Sequence, residues 1–256
     1  MSGSGFEWIC EIEPPTRPDL MHVRHQIGVL SRVASAYLIP DNHVGRATVS
    51  SIAVAHEVDR MGGRSIACLN ARDRNALGFR RDLLTGAAYG VDEFLFVYGD
   101  APVSGDRTGH LTVRSMIDYL RRFSEEHQGQ VGGFRAGVTS RLRPLPSWKR
   151  AADFLFVQVS FDLEQLLAWR DTVAFDGSVY AGVMVLPSAA MARKLVADIP
   201  EIVVPERWID AVEHDRRAGV ELACELGRSI ADSGAFDGVH LIPGVRYREA
   251  AALLEK

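Results

Sequence analysis

Eight short apolar runs, rich in β-branched and aromatic residues, recur along the chain and are separated by amphipathic stretches. Some are almost continuously apolar, such as FLFV at residues 154–157, which is typical of strands covered on both faces of a parallel sheet. Strands are predicted at residues 7–13, 33–39, 64–70, 93–98, 132–138, 153–160, 178–185 and 237–242.

Helical periodicity fills the intervals between the predicted strands. Met21, Val23, Ile27 and Leu30, for example, repeat with the spacing of one helix face, and Thr112 is well suited to cap a later helix. Helices are predicted at residues 20–32, 48–61, 74–88, 112–127, 163–172, 188–197 and 247–256, with a long helix inside 206–233.

The strict alternation of strand and helix, without a linker or a change in composition, predicts consecutive βαβ units. Eight units in 256 residues predict one (β/α)8 barrel domain over residues 1–256. A doubly wound open sheet is the alternative, but no Gly-x-Gly-x-x-Gly follows the first strand.

Charge and cysteine usage narrow the class of protein. The 29 basic and 33 acidic residues are evenly spread, so a nucleic-acid partner is not expected. Three separated cysteines without a CxxC pair, and eight histidines without metal-ligand spacing, predict neither disulfides nor a metal site. The N-terminus resembles no signal peptide and no apolar run reaches the roughly 18 residues of a membrane span, so we expect a cytoplasmic protein with no membrane partner.

The functional site of a barrel enzyme lies at the carboxyl ends of its strands. Glu11 alternates with apolar Cys10 and Ile12, so its side chain is expected inside the barrel mouth, where partial burial favours the protonated acid. General acid catalysis and a structural pairing with an arginine are both open for Glu11. Glu13 points the same way, nearer the rim, and is expected to anchor a loop.

The polar residues at the other strand ends are each weighed between a structural and a functional role. Asp100 lies in a Gly-Asp turn and is either a turn residue or a site residue. Gln158, inside an apolar strand, needs hydrogen-bond partners from the protein or from a ligand. His240, alone in its strand, is more readily a core residue than a ligand. Ser140 lacks the motif of a hydrolase nucleophile.

Five segments together resemble the methylenetetrahydrofolate reductase family. They are EIEPP at residues 11–15, FVYGDAP at 96–102, ADFLFVQVSFD at 152–162, IVVPERW at 202–208 and GVHLIPGVR at 238–246. Their order and spacing are similar to the family's over roughly residues 6–255. The resemblance implies a (β/α)8 barrel, in agreement with the periodicity, and often an oligomer, so a homo-oligomer is possible.

The family reduces 5,10-methylenetetrahydrofolate to 5-methyltetrahydrofolate. By position, the resemblance makes Glu11 the acid that protonates N10 and Asp100 the anion that stabilises the iminium. Gln158 would bind the pterin and Arg246 the far end of the folate, with Tyr98 and Glu13 also in the substrate site. An acid and an anion suit this reaction, because an iminium accepts hydride far better than a neutral ring.

The departures from the family fall mainly in its flavin site. Tyr98 replaces an arginine, SIAC at residues 65–68 lacks a histidine, and residues 137–146 replace another flavin-contacting segment. The family's flavin-contacting lysine falls at Ser147, two places before Lys149, and a stacking phenylalanine falls near residues 189–190. FAD is therefore doubtful, and NADH or NADPH is expected to donate hydride directly, with the nicotinamide in the vacated flavin space. A different flavin or a deazaflavin is the other possibility.

Four residues are the candidate cofactor-binding set: Arg141, Arg143, Asn42 and His43. The two arginines suit a phosphate, and a solvated basic loop is the equal alternative. An oxidoreductase acting on methylenetetrahydrofolate is the first prediction for the whole chain. A folate-dependent one-carbon transferase or demethylating enzyme is the second, and a folate-binding subunit that needs a flavoprotein partner is the third. Retention of Glu11 favours an enzyme.

Overall fold

Eight parallel strands form a closed barrel in the computed structural model, which describes residues 5–129 and 132–255. Each strand pairs with the next along the chain, and β1 and β8 close the barrel. The strands are β1 Glu7–Glu11, β2 Ala36–Ile39, β3 Ser65–Asn70, β4 Glu93–Val97, β5 Arg135–Ser140, β6 Phe154–Val159, β7 Ser178–Met184 and β8 Gly238–Ile242. The predicted (β/α)8 barrel is therefore confirmed.

Helices cover the outside of the barrel in the predicted order. They are α1 Met21–Leu30, α2 Ser51–Arg60, α3 Ala76–Ala88, α4 Val113–Glu126, α5 Leu163–Asp171, α6 Ala189–Asp198, α7 Glu206–His214, α8 Ala218–Ser233 and α9 Tyr247–Leu254. Thr112 caps α4 as expected, accepting a hydrogen bond from the Ser115 amide. None of the described helices has the length and apolarity to cross a membrane.

Two boundaries differ from the predictions for a local reason. The segment 206–233 is two helices, because Asp215 is extended and its carboxylate accepts a hydrogen bond from the Arg217 amide. β5 begins at Arg135, since the glycines at 132 and 133 add no side chain to the sheet. The predicted end of the last helix at Lys256 lies outside the described residues.

Alternation along the strands separates two apolar layers. The inner layer fills the barrel and the outer one packs between the sheet and the helices. Ile9 belongs to the inner layer, whereas Cys10 and Ile12 belong to the outer one. Glu11 has the parity of Ile9, so the period of two carries its side chain into the barrel mouth, as predicted. The inner apolar residues are Ile9, Ala36, Leu38, Ile66, Cys68, Leu95, Phe154, Phe156 and Tyr180.

An ion-pair network fills the opposite, amino-terminal end of the barrel. The Arg64 guanidinium donates to Glu93 at 3.0 Å and to Glu7 at 2.6 Å. The Tyr180 hydroxyl donates to the second oxygen of Glu7 at 2.6 Å, and burial, reinforced by this carboxylate, raises the pKa of Tyr180 to about 12. Since these groups satisfy one another, they close this end of the barrel, and the carboxyl ends of the strands provide the open mouth.

Arg64→Ala is expected to destabilise the fold by about 3 kcal/mol, because it leaves Glu7 and the buried Glu93 without their shared cation. Arg193→Ala is the control, because Arg193 and Glu213 form a solvent-exposed pair worth about 0.5 kcal/mol. Urea denaturation measures both free energies of unfolding. Equal, small losses would show that the Arg64 network contributes no more than a surface pair.

Candidate functional site

Two adjoining cavities open at the carboxyl end of the barrel. The β1/β8 cavity, about 410 Å³, is lined by Glu11, Glu13, Pro14, Pro15, Thr16, His22, Gln26, His43, Met184, Val185, Pro187, Met191, Ile242, Pro243, Gly244 and Val245. The β5/β6 cavity, about 480 Å³, is lined by Leu38, Leu95, Thr139, Ser140, Arg141, Phe156, Val157, Gln158, Val159, Asp198, Ile199, Glu201, His240 and Ile242. Ile242 belongs to both, so the cavities are neighbours in one mouth.

Glu11 and His240 meet where the two cavities adjoin. Ile9 is the strand partner of His240 across the barrel closure, and Glu11 lies one inward position above it. His240 Nε2 is 3.1 Å from Glu11 Oε2, and the His240 ring packs edge-on against Phe156 with centroids 5.2 Å apart. A carboxyl group and an imidazole at this distance can exchange a proton. The partner of Glu11 is thus a histidine, whereas the structural alternative for this residue was a pairing with an arginine.

Gln158 lies at a bulge in β6. Phe156 pairs with Tyr180 and Val159 with Gly182, so β6 has one residue more than β7 between these pairs. Gly182 makes room for the bulge: a Cβ there would lie 2.5 Å from the Val157 carbonyl oxygen and 2.9 Å from the Val159 nitrogen. Gln158 lines the β5/β6 cavity at the carboxyl end of β6.

Cys68 lies inside the barrel, beneath the mouth. Burial raises the pKa of its thiol well above the usual value, and the charges of Glu11 and Asp41 act in the same direction. The thiol therefore stays protonated at neutral pH, which removes it as a nucleophile. The described chain also holds no cluster of three or more histidine, cysteine or acidic side chains suited to a metal ion.

Asp100 joins two loops instead of lining either cavity. Its exposed carboxylate accepts a hydrogen bond from the Val44 amide at 2.9 Å, and the Val103 amide donates to the Gly45 carbonyl at 2.9 Å. Gly45 has φ +69°, and a Cβ there would lie 1.9 Å from the Ala101 oxygen, so the loops approach too closely for a side chain. Asp100 therefore accepts a backbone hydrogen bond, as a turn residue does, but the backbone belongs to the loop after β2.

The two candidate residues in the loop after β2, Asn42 and His43, have different surroundings. His43 lines the β1/β8 cavity, beside the Val44 amide that Asp100 holds. Asn42 instead donates to Asp73 at 3.0 Å and accepts from the Thr48 amide at 3.3 Å. These contacts fix the loop after β2, so the structure gives Asn42 a structural role and leaves His43 at the mouth.

At the ends of β3 and β4, near positions where the family contacts its flavin, side chains contact one another. The Arg72 guanidinium stacks on the Tyr98 ring at 4.8 Å, and a Cβ at Gly99 would lie 2.8 Å from Asn70 Cβ. Asn70 in turn donates to Asp41 and Asp73. Neither mouth cavity is lined by Tyr98, so its expected contact with substrate is not supported by this placement.

Arg141 and Arg143 form ion pairs with the same oxygen of Glu201, at 2.7 and 3.2 Å. Both guanidinium groups remain more than half exposed, and Arg141 and Glu201 line the β5/β6 cavity. Lys149 donates to the Thr139 carbonyl at 2.7 Å; burial, and then the Arg141 charge, lower its pKa. Two arginines against one carboxylate leave net positive charge beside this cavity.

Arg246 and Glu13 lie at the rim of the β1/β8 cavity. Glu13 is exposed and lines it. Arg246 follows the lining residue Val245 and donates to Glu249 at 2.9 Å, while its buried Nε has no partner among the described residues. The hydrogen bond from Arg246 lowers the pKa of Glu249.

A model of the protein family described as methylenetetrahydrofolate reductase matches residues 29–255. No curated protein sequence matches the chain. The chain is thus related to known proteins through the family pattern and the fold.

Solved structures with a similar fold have low sequence identity. One is an uncharacterized protein from Clostridium thermocellum, described as binding two copies of 5-methyl-5,6,7,8-tetrahydrofolic acid, with TM-score 0.64, 13% identity and coverage of 99% of this chain and 95% of that one. Another is the Bacillus cereus spore cortex-lytic enzyme SleL, with TM-score 0.58, 10% identity and coverage of 98% and 74%. A β-1,3-glucanosyltransferase from Rhizomucor miehei has TM-score 0.56, 12% identity and coverage of 93% and 86%. At these identities the likeness concerns the fold alone.

Gly182→Ala is expected to destabilise the protein by about 1–3 kcal/mol, because the new methyl group meets backbone atoms of the β6 bulge that cannot rotate away. Gly28→Ala is the matched control, since Gly28 lies on an exposed face of α1 with open space, and alanine there stabilises a helix by about 0.5–1 kcal/mol. Thermal and urea unfolding measure the two changes. A neutral Gly182→Ala would show that the bulge yields freely.

Proposed function

This chain belongs to the methylenetetrahydrofolate reductase family, and we propose that it binds a reduced folate in the barrel mouth and catalyses hydride transfer between 5,10-methylenetetrahydrofolate and 5-methyltetrahydrofolate. The observation that carries the proposal is the contact between Glu11 and His240, which places a carboxyl group suited to proton donation where two cavities of about 410 and 480 Å³ adjoin. The folate description of the Clostridium thermocellum protein, whose fold is similar, adds support for the ligand class.

In this proposal the two parts of a folate that meet at N10 occupy the two cavities. The proposed pterin site is the β5/β6 cavity, where the Gln158 amide has donors and an acceptor to match the edge of the pterin. The aminobenzoyl part then lies in the β1/β8 cavity. N10, which joins the two parts, falls beside Glu11, as a general acid for this atom must.

The proposed reaction begins with proton transfer from Glu11 to N10. The C–N10 bond breaks, and the lone pair of N5 forms a cationic iminium with the one-carbon unit. Hydride addition to that carbon gives the N5-methyl group, and N10 keeps the proton. His240 holds the Glu11 carboxyl toward the junction and returns a proton to it from solvent after each turnover. The ionised Glu11 stabilises the iminium that it has helped to form.

The hydride donor in this proposal is NADH or NADPH instead of FAD. The altered flavin positions support this choice: Tyr98, in place of an arginine, stacks on Arg72, and Lys149, two places from the position of the family's lysine, is bound to Thr139. A nicotinamide nucleotide supplies hydride without a bound flavin. The positive charge of Arg141, Arg143 and Lys149 beside the β5/β6 cavity suits its phosphate groups, with Glu201 as the counter-ion to be displaced.

Asp100 has a positioning role in this proposal. Its bond to Val44 fixes the loop that places His43 in the wall of the β1/β8 cavity. Direct contact with the pterin would require the carboxylate to leave this loop contact. The proposal therefore assigns charge stabilisation to Glu11 and loop placement to Asp100.

The first experiment is an absorbance spectrum of the purified protein, followed by titration with methylenetetrahydrofolate while NADH and NADPH are monitored at their own absorbance band. Folate-dependent loss of the reduced nucleotide by a colourless protein is the expected result. A flavin spectrum would overturn the direct-transfer step. Folate binding without nucleotide oxidation would favour a folate-dependent transferase, or a binding subunit that needs a flavoprotein partner.

Glu11→Gln is expected to lower the rate of folate reduction by about 10²–10⁴-fold, because glutamine occupies the same volume without a transferable proton. The dissociation constant for tetrahydrofolate should change by no more than a few-fold. Glu126→Gln, which alters an exposed pair with Arg80 on the outer surface, serves as the control. Normal turnover in Glu11→Gln would remove the proposed acid.

A further inference from the structure

Gln26 is a buried amide that the proposed reaction does not use. It lies on α1, is only 7% exposed, and lines the β1/β8 cavity. Its Oε1 atom is buried and has no hydrogen-bond partner within residues 5–129 and 132–255. Because a buried amide oxygen without a partner is unfavourable, its presence in a cavity wall calls for a ligand group that donates to it.

Two further polar atoms without partners lie in the same corner of the fold, where α1 meets the start of α9. The Tyr247 hydroxyl and Arg246 Nε are both buried, and neither forms a hydrogen bond within the part of the chain that the structure describes. His22, one helical turn before Gln26, also lines the cavity, and its ring packs edge-on against Tyr247 with centroids 5.9 Å apart. The corner thus combines an amide, a hydroxyl and a guanidinium nitrogen whose bonding capacity the protein leaves unfilled.

Much of the remaining cavity wall is apolar. Pro14, Met184, Val185, Pro187, Met191 and Ile242 line it. Proline and methionine side chains suit the faces of a flat ring. The lining also holds two carboxyl groups, Glu11 and Glu13, and two imidazoles, His22 and His43. With this balance, the cavity favours an aromatic ring that carries a neutral polar group at the α1 end.

We propose that Gln26 binds the amide that joins the benzoyl ring of the folate to its glutamate, and so makes the β1/β8 cavity a subsite for N-acylated amino acids. This inference rests on the proposed function. A carboxamide and a peptide-like amide are complementary: Oε1 accepts from the amide N–H, and Nε2 donates to the amide oxygen. In this assignment Arg246 and Tyr247, in the same corner of the fold, take the glutamate end of the ligand.

The test compares tetrahydrofolate with 6-methyltetrahydropterin, which lacks the aminobenzoyl-glutamate tail, by isothermal titration calorimetry. Gln26→Leu is expected to weaken tetrahydrofolate binding by tenfold or more and to leave binding of the tail-less pterin within twofold. Gln128→Leu, a change at an exposed position beyond α4, is the matched control. Unchanged tetrahydrofolate binding in Gln26→Leu, or equal losses for both ligands, would overturn the assignment.

A measurement on the unaltered protein decides the matter if Gln26→Leu does not fold. 4-Aminobenzoylglutamate is expected to bind at least tenfold more tightly than 4-aminobenzoate, which lacks the amide. Equal binding of the two fragments would refute the subsite. If neither tetrahydrofolate nor the tail-less pterin binds, the proposed function fails as well. If the two bind equally tightly, the folate function stands and the Gln26 subsite does not.

Discussion

The hydrogen bond between Glu11 and His240 depends on the closure of the barrel, and the arrangement of the mouth depends on that hydrogen bond. The two residues are 229 positions apart in sequence, and they meet because β1 and β8 pair in the register that sets Ile9 opposite His240. A shift of one residue would turn Glu11 toward the helices, where the outer layer holds Cys10 and Ile12. The contact between Glu11 and His240 therefore requires this one register of β1 and β8.

The alternation of inward and outward side chains also places different polar groups at the two ends of the barrel. Inward positions at the amino-terminal end carry Glu7, Glu93 and Tyr180, whose charges and hydrogen bonds are satisfied around Arg64. Inward positions at the other end carry Glu11 and Gln158, whose hydrogen-bonding capacity is only partly used within the protein. Both ends are polar, yet one is a closed network and the other is open to a ligand. Satisfaction of the polar groups, more than their number, distinguishes the functional end.

Local sequence patterns predicted the barrel fold and the inward position of Glu11, but not its pairing with His240. The period of two placed Glu11 inward, and the alternation of strand and helix predicted the barrel. The role of His240 could not be predicted, because a lone histidine in a strand has no partner until the register across the closure is known. The contact of Asp100 could not be predicted for a related reason: its bond to Val44 joins two loops whose approach depends on a glycine in a left-handed conformation. Arg141 and Arg143 were identified as a basic loop, whereas Glu201, which neutralises part of their charge, lies 58 or more residues away.

The two sides of the mouth have diverged in different ways from the pattern that the family implies. On the side of β1, β6 and β8, the acid and amide side chains expected for a folate line open cavities. On the side of β3 and β4, the exchange of an arginine for Tyr98 gives Arg72 an aromatic face to stack on, and Asn70 packs against Gly99. The polar side chains that face open cavities therefore come from β1, β6 and β8, and the positive charge of Arg141 and Arg143 lies beside the β5/β6 cavity.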